Sequence, residues 1–490
     1  MDHRFKNWLP RLLVGATAII AFYILGRSAY RFAYYNWKTV SFPYSVDYGE
    51  GPILDQVMRM SKFQNVYKTD IKHLPFTITN YPPLYPVAQV PFAWIFGPAY
   101  WYGRGLSALS VIAAAIFIAL ILGVVTKDWL AGVLGGLMLF AVPYILHWAP
   151  FCRVDSFALG LSMAGVFVIA RWPDSRKGVI ISGLLLTAAV YTRQSYALAA
   201  PPAAFFWLIG NRRWKRAFQL VGVVAGVGLG VFLLLMLFTR GGFYFNIVTA
   251  NVNPFHWNTV KDYKNAIWRN MRYIVISSAL FLAGAWWLKS KIWWLAAPYL
   301  IGGTISAITI GKSGSNVNYL FEFSAGISLV AGAVIAAPGR RLWWLKIPFI
   351  LLLAWQVNKL YKWTNHDYYP WVMGRVKNER TAIKMLLDKV HEAKGPVLAD
   401  EFMGLVVLDG RELYFQPFEF KQLAIAKVWD ETPFIQAVQN KEFGMILLYA
   451  PRSWDSRHER WTQAQLDAID DNYILTGNYA ETLVYVPYGR

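Results

Sequence analysis

Long apolar segments alternate with short polar ones from the N-terminus to about residue 360. An α-helix needs about 17–25 predominantly apolar residues to cross a bilayer. Segments that meet or approach this length lie at 12–30, 103–125, 129–147, 156–170, 178–191, 195–210, 217–238, 273–288, 292–310, 319–337 and 342–360. The pattern therefore predicts a polytopic α-helical membrane protein with about eleven transmembrane helices.

A twelfth apolar segment, 83–97, is predicted to lie along the membrane surface. Proline disrupts a helix interior, and the prolines in or beside this segment are Pro82, Pro83, Pro86 and Pro91. If the segment does not cross, the basic stretches share the side of the N-terminus, as the positive-inside rule requires of cytoplasmic loops. These stretches are 171–178, 211–216, 289–291 and 338–341. The N-terminus is thus predicted to be cytoplasmic, and the first outer loop, 31–102, to carry interfacial helices outside.

The composition agrees with a multi-pass membrane protein. The mean hydropathy is +0.33, and the 23 Trp and 28 Tyr residues suit interfacial belts. The net charge of +20 is explained by basic cytoplasmic loops, and no nucleic-acid-binding module is recognisable. The single cysteine, Cys152, excludes an intramolecular disulfide.

The residues after 361 have a different pattern. A helix-like run at 379–393 precedes strand-like runs at 396–400, 443–450 and 483–487, with another short helical run at 463–470. This alternation predicts a small α/β domain. An odd number of spans places it outside the membrane. We therefore expect a transmembrane domain over 1–361 and a soluble extracytoplasmic domain over 362–490.

Polar residues that could carry chemistry fall in the predicted outer loops. They are Asp47 and Glu50 in SVDYGEG, Arg153 and Asp155 in the second loop, Arg193 and Gln194 in the third, and Lys312, Asn316, Asn318, Tyr319 and Glu322 around the fifth. Carboxylates can act as general bases, and cations can hold an anion, so this set suits transfer from a lipid phosphate. Simpler interpretations stay open: Asp155 as an ion pair at a helix start, and Arg193 as a snorkelling residue.

Three short motifs resemble the GT-C superfamily of integral-membrane glycosyltransferases. They are the acid that follows the first span, NYPPLYP (80–86) and RVD (153–155). The sequence is most similar to bacterial relatives of the protein O-mannosyltransferases and of the aminoarabinose lipid A transferases, over residues 10–340. Where that family often has His-Pro-Pro, this chain has Tyr81-Pro82-Pro83.

The resemblance implies a glycosyltransferase, hexosyl or pentosyl, that takes a sugar from a polyprenyl phosphate. The sugar passes with inversion to a hydroxyl of a glycan, lipid or protein at the outer face of a bacterial inner membrane. Asp47 is then the general base, with Glu50 as the fallback, and Asp155 orders the site. Arg193 and Lys312 hold the donor phosphate, and Arg153 either joins them or orients Asp155. The expected substrate contacts are Tyr48, Asn80, Tyr81, Gln194, Asn316, Asn318, Tyr319 and Glu322.

Other functions remain open at this stage. A lipid-linked sugar transporter or flippase would also be polytopic, although it would be expected to carry polar residues or broken helices near the mid-membrane. An assembly subunit would use the membrane part only as an anchor. No loop has a defined metal motif, while the outer-loop carboxylates leave room for Mg²⁺ or Ca²⁺. A site that gathers Asp47, Asp155, Arg193 and Lys312 around one cavity would favour the enzyme.

Overall fold

The computed structural model describes residues 5–287, 289–339, 342–367 and 369–489. Most of these residues form a helical bundle, and a small sheet lies near the C-terminus. The bundle and its loops contain α1 (Phe5–Val40), α2 (Glu50–Ser61), α3 (Leu84–Phe96), α4 (Trp101–Thr126), α5 (Trp129–Ala141), α6 (Pro143–Trp148), α7 (Val154–Arg171), α8 (Arg176–Val190), α9 (Ala200–Gly210), α10 (Trp214–Phe238), α11 (Gly242–Tyr244), α12 (Trp257–Trp287), α13 (Trp293–Ile308), α14 (Phe321–Ala336) and α15 (Lys346–Asp367). Each of the eleven predicted segments overlaps at least one of these helices.

In the part of the chain that is described, six helical segments are both long enough and apolar enough to cross a membrane. They are Leu12–Val40, Trp101–Thr126, Val154–Arg171, Trp214–Phe238, Trp293–Gly311 and Val317–Ala336. The other apolar helices are shorter or less apolar; the segment 129–147, for example, divides into α5 and α6 at Val142, where Pro143 begins the second helix. The multi-pass character is therefore supported, and the count of eleven spans stays a prediction.

The proline-containing segment 83–97 forms α3, which includes Pro91 and ends at Gly97. The helix packs against α2 of the first outer loop. Trp94, Ile95 and Phe96 at its end remain largely exposed. A helix of 13 residues is about 20 Å long, which is too short to cross the apolar core of a bilayer. Its interfacial position stays a prediction.

Residues 369–489, which we call the C-terminal region, contain a four-stranded sheet flanked by short helices. The helices are α16 (Tyr369–Gly374), α17 (Arg380–Glu392), α18 (Met403–Leu408), α19 (Pro417–Ile425), α20 (Thr432–Gln439), α21 (Ser456–Arg460) and α22 (Gln463–Asn472), and the strands are β1 (Val397–Ala399), β2 (Met445–Tyr449), β3 (Tyr473–Tyr479) and β4 (Thr482–Pro487). The strand order is β1-β2-β4-β3. The first pair is parallel, joined through α18–α20, and the other pairs are antiparallel.

The predicted α/β pattern of the C-terminal region is present, with one strand that the sequence pattern does not reveal. The predicted helices correspond to α17 and α22, and the predicted strands to β1, β2 and β4. Strand β3 lies at the edge of the sheet and is mostly exposed, so it lacks the apolar run that marks a buried strand. It joins β4 through Ala480 and Glu481, which both have positive φ, as a two-residue hairpin loop of type I′ requires.

The first outer loop and the C-terminal region share a hydrophobic core. Ile71, Phe76 and Ile78 of the loop are buried in one cluster with Phe415 and Phe420. The Phe76 amide also donates a hydrogen bond to the carbonyl of residue 414, at 2.7 Å. The C-terminal region therefore lies on the same side of the bundle as the first outer loop. That this side is extracytoplasmic stays a prediction.

A close backbone contact between α2 and α18 joins the two parts. A Cβ atom at Gly51 would lie 2.7 Å from the amide nitrogen of Gly404 and 3.0 Å from Cβ of Met403. Since backbone atoms cannot move aside as a flexible side chain can, only glycine fits here without separating the helices.

We expect Gly51→Ala to destabilise the protein by about 1–3 kcal/mol, because the added methyl group overpacks this contact. The measurement is the midpoint of thermal unfolding in detergent. Gly284→Ala in α12 is the control, since no heavy atom lies within 4 Å of the Cβ it would add. Equal midpoints for the two variants would show that the contact is not tight.

Candidate active site

A cavity of about 690 Å³ lies where the first outer loop, the other loops on that side and the C-terminal region meet. Ten of the predicted site residues line it: Asp47, Tyr48, Asn80, Tyr81, Arg153, Arg193, Gln194, Lys312, Asn316 and Tyr319. The predicted residues that do not line it are Glu50, Asp155, Asn318 and Glu322, all of which are buried. Segments far apart in sequence thus contribute their polar residues to one space.

Asp47 lies in the short loop between α1 and α2, with 14% of its side chain exposed. Its Oδ2 atom accepts hydrogen bonds from the Gly49 amide at 3.0 Å and from Nη1 of Arg153 at 3.3 Å. Burial raises the pKa of Asp47 to about 6; Arg153 opposes the rise, and the charges of Glu50 and Glu401 add to it. The carboxylate is therefore ionised at neutral pH and is more basic than an ordinary aspartate.

Glu50 begins α2 and is fully buried against Arg104 of α4. Its two carboxylate oxygens accept hydrogen bonds from Nε and Nη2 of Arg104, at 2.8 and 2.6 Å. They also accept from the amides of Val46 and Cys152, at 2.8 and 2.7 Å. These four bonds leave Glu50 no access to the cavity. Glu50, the fallback base, therefore has the geometry of a structural residue. Asp47 is the carboxylate that faces the cavity.

Arg153 and Asp155 were expected to contact each other, but each pairs with a residue from another loop. Arg153 bonds to Asp47, and Asp155 forms a buried ion pair with Arg193. The reason is the backbone: Arg153 is extended before α7, whereas Asp155 lies in the first helical turn, so the two side chains diverge. Asp155 also accepts a hydrogen bond from Nδ2 of Asn318 at 3.1 Å.

Arg193 and Lys312 are both held in place at the cavity wall. The Arg193 guanidinium lies 4.2 Å from the ring centre of Tyr319 and pairs with Asp155 behind it. Nζ of Lys312 donates to the carbonyl oxygen of Asn251 at 3.0 Å and to the side chain of the same residue. Burial lowers the pKa of Lys312. Neither cation needs to reorganise before it meets an anion.

Comparison with known proteins matches this chain to solved structures. No protein-family model and no curated protein matches the sequence. The structure of ArnT from Cupriavidus metallidurans bound to undecaprenyl phosphate is similar over 98% of both chains, with a TM-score of 0.58 and 13% identity. The oligosaccharyltransferase AglB from Archaeoglobus fulgidus, in complex with an inhibitory peptide and a dolichol-phosphate, has a TM-score of 0.54 and 12% identity over 100% of this chain and 77% of its own. An A. fulgidus oligosaccharyltransferase with Zn and sulfate gives 0.52 and 12%, over 97% and 73%.

This chain has the GT-C fold. ArnT and AglB are both GT-C membrane glycosyltransferases, and the match extends over nearly the whole of this chain. The predicted resemblance is thereby confirmed at the level of the fold. It includes the C-terminal region, for which the sequence motifs predict only a small extracytoplasmic domain. The apolar helices and the GT-C fold together make this chain an integral, multi-pass membrane protein.

The C-terminal region of the GT-C fold supplies cavity residues that the sequence motifs do not indicate. They are Trp371, Glu401, Gln416, Phe418, Glu419, Tyr449, Trp454, Glu459 and Arg460. Asp400 and Glu401 follow β1 directly. Polar residues at the carboxyl end of a parallel strand often form sites in α/β folds. The acidic pair after PVLA is therefore a sequence signal for this part of the site. Arg460 has no such signal, and only its ion pairs with these two acids connect it to the site.

The acids on the cavity wall are largely engaged by protein partners. Glu401 pairs with Arg375 and Arg460, and Glu419 accepts a hydrogen bond from the Tyr48 hydroxyl at 2.8 Å. Within the described residues, no group of three or more His, Cys, Asp or Glu side chains is placed to hold a metal ion. The described acids thus form no ready-made ligand cluster for a metal. The Mg²⁺ or Ca²⁺ for which the sequence leaves room stays an untested prediction, and we derive no step through a metal.

We expect Glu50→Gln to destabilise the protein by about 3–5 kcal/mol, because it leaves the buried Arg104 charge without its partner. The control is Glu412→Gln, which removes an acid 3.3 Å from Arg59 whose side chain is 47% exposed; the loss there should be below about 1 kcal/mol. Thermal unfolding of both variants in detergent measures the difference. Similar midpoints would contradict the central place of the Glu50–Arg104 pair.

Proposed function

We propose that the protein is a glycosyltransferase that moves a sugar from a polyprenyl phosphate to an acceptor hydroxyl, with inversion. The observation that carries the proposal is the position of Asp47, a carboxylate of raised pKa, on the wall of a cavity that Arg193 and Lys312 also line. The GT-C fold supports it, since the similar structures include ArnT bound to undecaprenyl phosphate and AglB with a dolichol-phosphate.

In the proposed reaction, Asp47 accepts the proton of the acceptor hydroxyl. The oxygen attacks the anomeric carbon, the bond from that carbon to the phosphate oxygen breaks, and the configuration inverts. A general base of this kind works best with a pKa near the operating pH, and burial of Asp47 provides it. Arg153 donates a hydrogen bond to the same carboxylate. We therefore propose that Arg153 orients the base and does not bind the phosphate.

Arg193 and Lys312 are proposed to bind the phosphate that leaves. Cations fixed before the reaction stabilise developing negative charge at little reorganisation cost. Asp155 and Asn318 lie behind the wall and fix Arg193 there, and Glu322 is a further buried group nearby. The residues proposed to contact the sugar or acceptor are those that line the cavity: Tyr48, Asn80, Tyr81, Gln194, Asn316 and Tyr319.

The arrangement favours an enzyme over a transporter or an assembly subunit. Asp47, Arg193 and Lys312 line one cavity, and Asp155 is bonded directly to Arg193. We place the reaction at the outer face of a bacterial inner membrane, with the N-terminus cytoplasmic and the C-terminal region outside. The acceptor is a hydroxyl of a glycan, a lipid or a protein.

Asp47→Asn is expected to lower the transfer rate by about 10²–10⁴-fold, because the amide keeps the shape of the side chain and cannot accept the proton. The assay is release of polyprenyl phosphate from lipid-linked sugars by the purified protein. Asp70→Asn, in the same outer loop but outside the cavity, is the matched control and should be active. A normal rate for Asp47→Asn would exclude it as the base.

The rate should also depend on pH through Asp47. Since this residue must be deprotonated and its pKa is raised to about 6, the rate should rise with pH up to about 6 and level off above it. Below the midpoint it should fall about tenfold per pH unit. The measurement is kcat/KM between pH 4.5 and 8, because this quantity reports the pKa of the free enzyme. A rate that stays flat down to about pH 4.5 would contradict a base with this pKa.

A further inference from the structure

Residues 46–48, the segment that carries Asp47, are held from two opposite directions. On the bundle side, the Val46 amide donates to Glu50, which is itself fixed by Arg104. On the other side, the contacts come from the C-terminal region, more than 320 residues away in sequence. These distant contacts reach both neighbours of Asp47.

Arg375 makes the contact to the residue before Asp47. Its Nη1 atom donates to the carbonyl oxygen of Val46 at 3.2 Å and to Oε1 of Glu401 at 2.6 Å. Its Nη2 atom donates to the Tyr449 hydroxyl at 3.3 Å, and only 4% of the side chain is exposed. A guanidinium fixed in this way holds the Val46 peptide at a defined position.

Tyr48, the residue after Asp47, is held through its side chain. Its hydroxyl donates to Oε2 of Glu419 at 2.8 Å and accepts from the Phe418 amide at 3.1 Å. The guanidinium of Arg460 lies 4.4 Å from the centre of the Tyr48 ring. Arg460 is fixed in turn by an ion pair with Asp400 at 2.6 Å. The ring is therefore held at its face and at its hydroxyl.

We propose that Arg375, Arg460 and Glu419 are positioning residues that set the place of the Asp47 carboxylate from the C-terminal region. They act through Val46 and Tyr48. The inference rests on the proposed function, because it assigns a purpose to the position of Asp47. A displacement of about 1 Å at a reacting group can cost on the order of 10²-fold in rate. Docking of the C-terminal region thus becomes a condition of activity.

The test is Arg375→Lys. Lysine keeps the positive charge beside Glu401, but its single ammonium group cannot reproduce a planar fork in which Nη1 contacts Val46 and Glu401 while Nη2 contacts Tyr449. We expect kcat to fall about 10- to 100-fold, with the donor KM within about twofold of the wild type because the phosphate-binding cations are untouched. The midpoint of the acid limb of the pH profile should shift. A loss of folded protein alone would scale the rate equally at every pH and leave that midpoint in place.

Arg411→Lys is the matched control in the same region. Arg411 also pairs with an acid, Asp409, and donates to the carbonyl oxygens of His391, Ala393 and Gly395. It makes none of these contacts to residues 46–48. Its substitution should leave the midpoint of the pH profile unchanged. An equal loss of kcat and an equal pH shift in both variants would overturn the positioning role of Arg375.

Hydrogen exchange of the amides in residues 45–51 tests the same contacts without relying on activity. Arg375→Lys should speed exchange there about three- to tenfold, the effect of losing one hydrogen bond, and Arg411→Lys should not. Tyr48→Phe, which removes the hydroxyl and keeps the ring, is the second variant if Arg375→Lys does not fold, with the same expected result. Unchanged exchange and unchanged kcat in these variants would overturn the proposal. Faster exchange in Arg375→Lys, combined with a normal transfer rate in Asp47→Asn, would instead refute the proposed function and leave the contacts established.

Discussion

The buried ion pair between Glu50 and Arg104 is the interaction on which the rest of the site depends. A charge pair in a dry interior is costly to form and very costly to break, so the segments around it must be placed precisely. Glu50 also binds the amides of Val46 and Cys152, and Arg104 binds the carbonyl oxygens of Thr39, Phe42 and Tyr44. One pair therefore joins the end of α1, the start of α2, α4 and the loop before α7. This is why the second acid of SVDYGEG is not available to the cavity.

The cavity takes its two halves from two distant parts of the chain. The bundle loops supply Asp47 and the fixed cations Arg193 and Lys312, while the C-terminal region supplies the acids Glu401 and Glu419, the cation Arg460 and several aromatic rings. Several charged groups on the wall are fixed by a protein partner, as Arg193 is by Asp155. Such a wall is organised before any substrate arrives, which is the condition for strong electrostatic stabilisation. Asp47 lies at the boundary between the halves.

Sequence patterns predict the features that depend on local spacing. They fail where side chains that are distant in sequence pair with each other. Apolar length marks the helices of the bundle, and charge parity places Asp47, Arg193 and Lys312 on one side. The pairing of Asp155 with Arg193 instead of its neighbour depends on where α7 begins. The entry of Glu401 into the cavity depends on the shared core with the first outer loop. No nearby residue pattern encodes the Asp155–Arg193 pair, and the acids that follow β1 indicate a site without indicating which cavity they line. The exposed edge strand β3 lacks the apolar run that would mark it.

The shared core of the first outer loop and the C-terminal region also sets an order of events during synthesis. Ile78 donates its amide hydrogen bond to Gln416, 338 residues later in the chain. Because synthesis adds about 5–20 residues per second, the segment that pairs with the loop is made roughly 20 to 70 s after it. During that time the Phe76 ring lacks its partners Phe415 and Phe420. The C-terminal region, which is made well after the loop, therefore decides when the loop can complete its core.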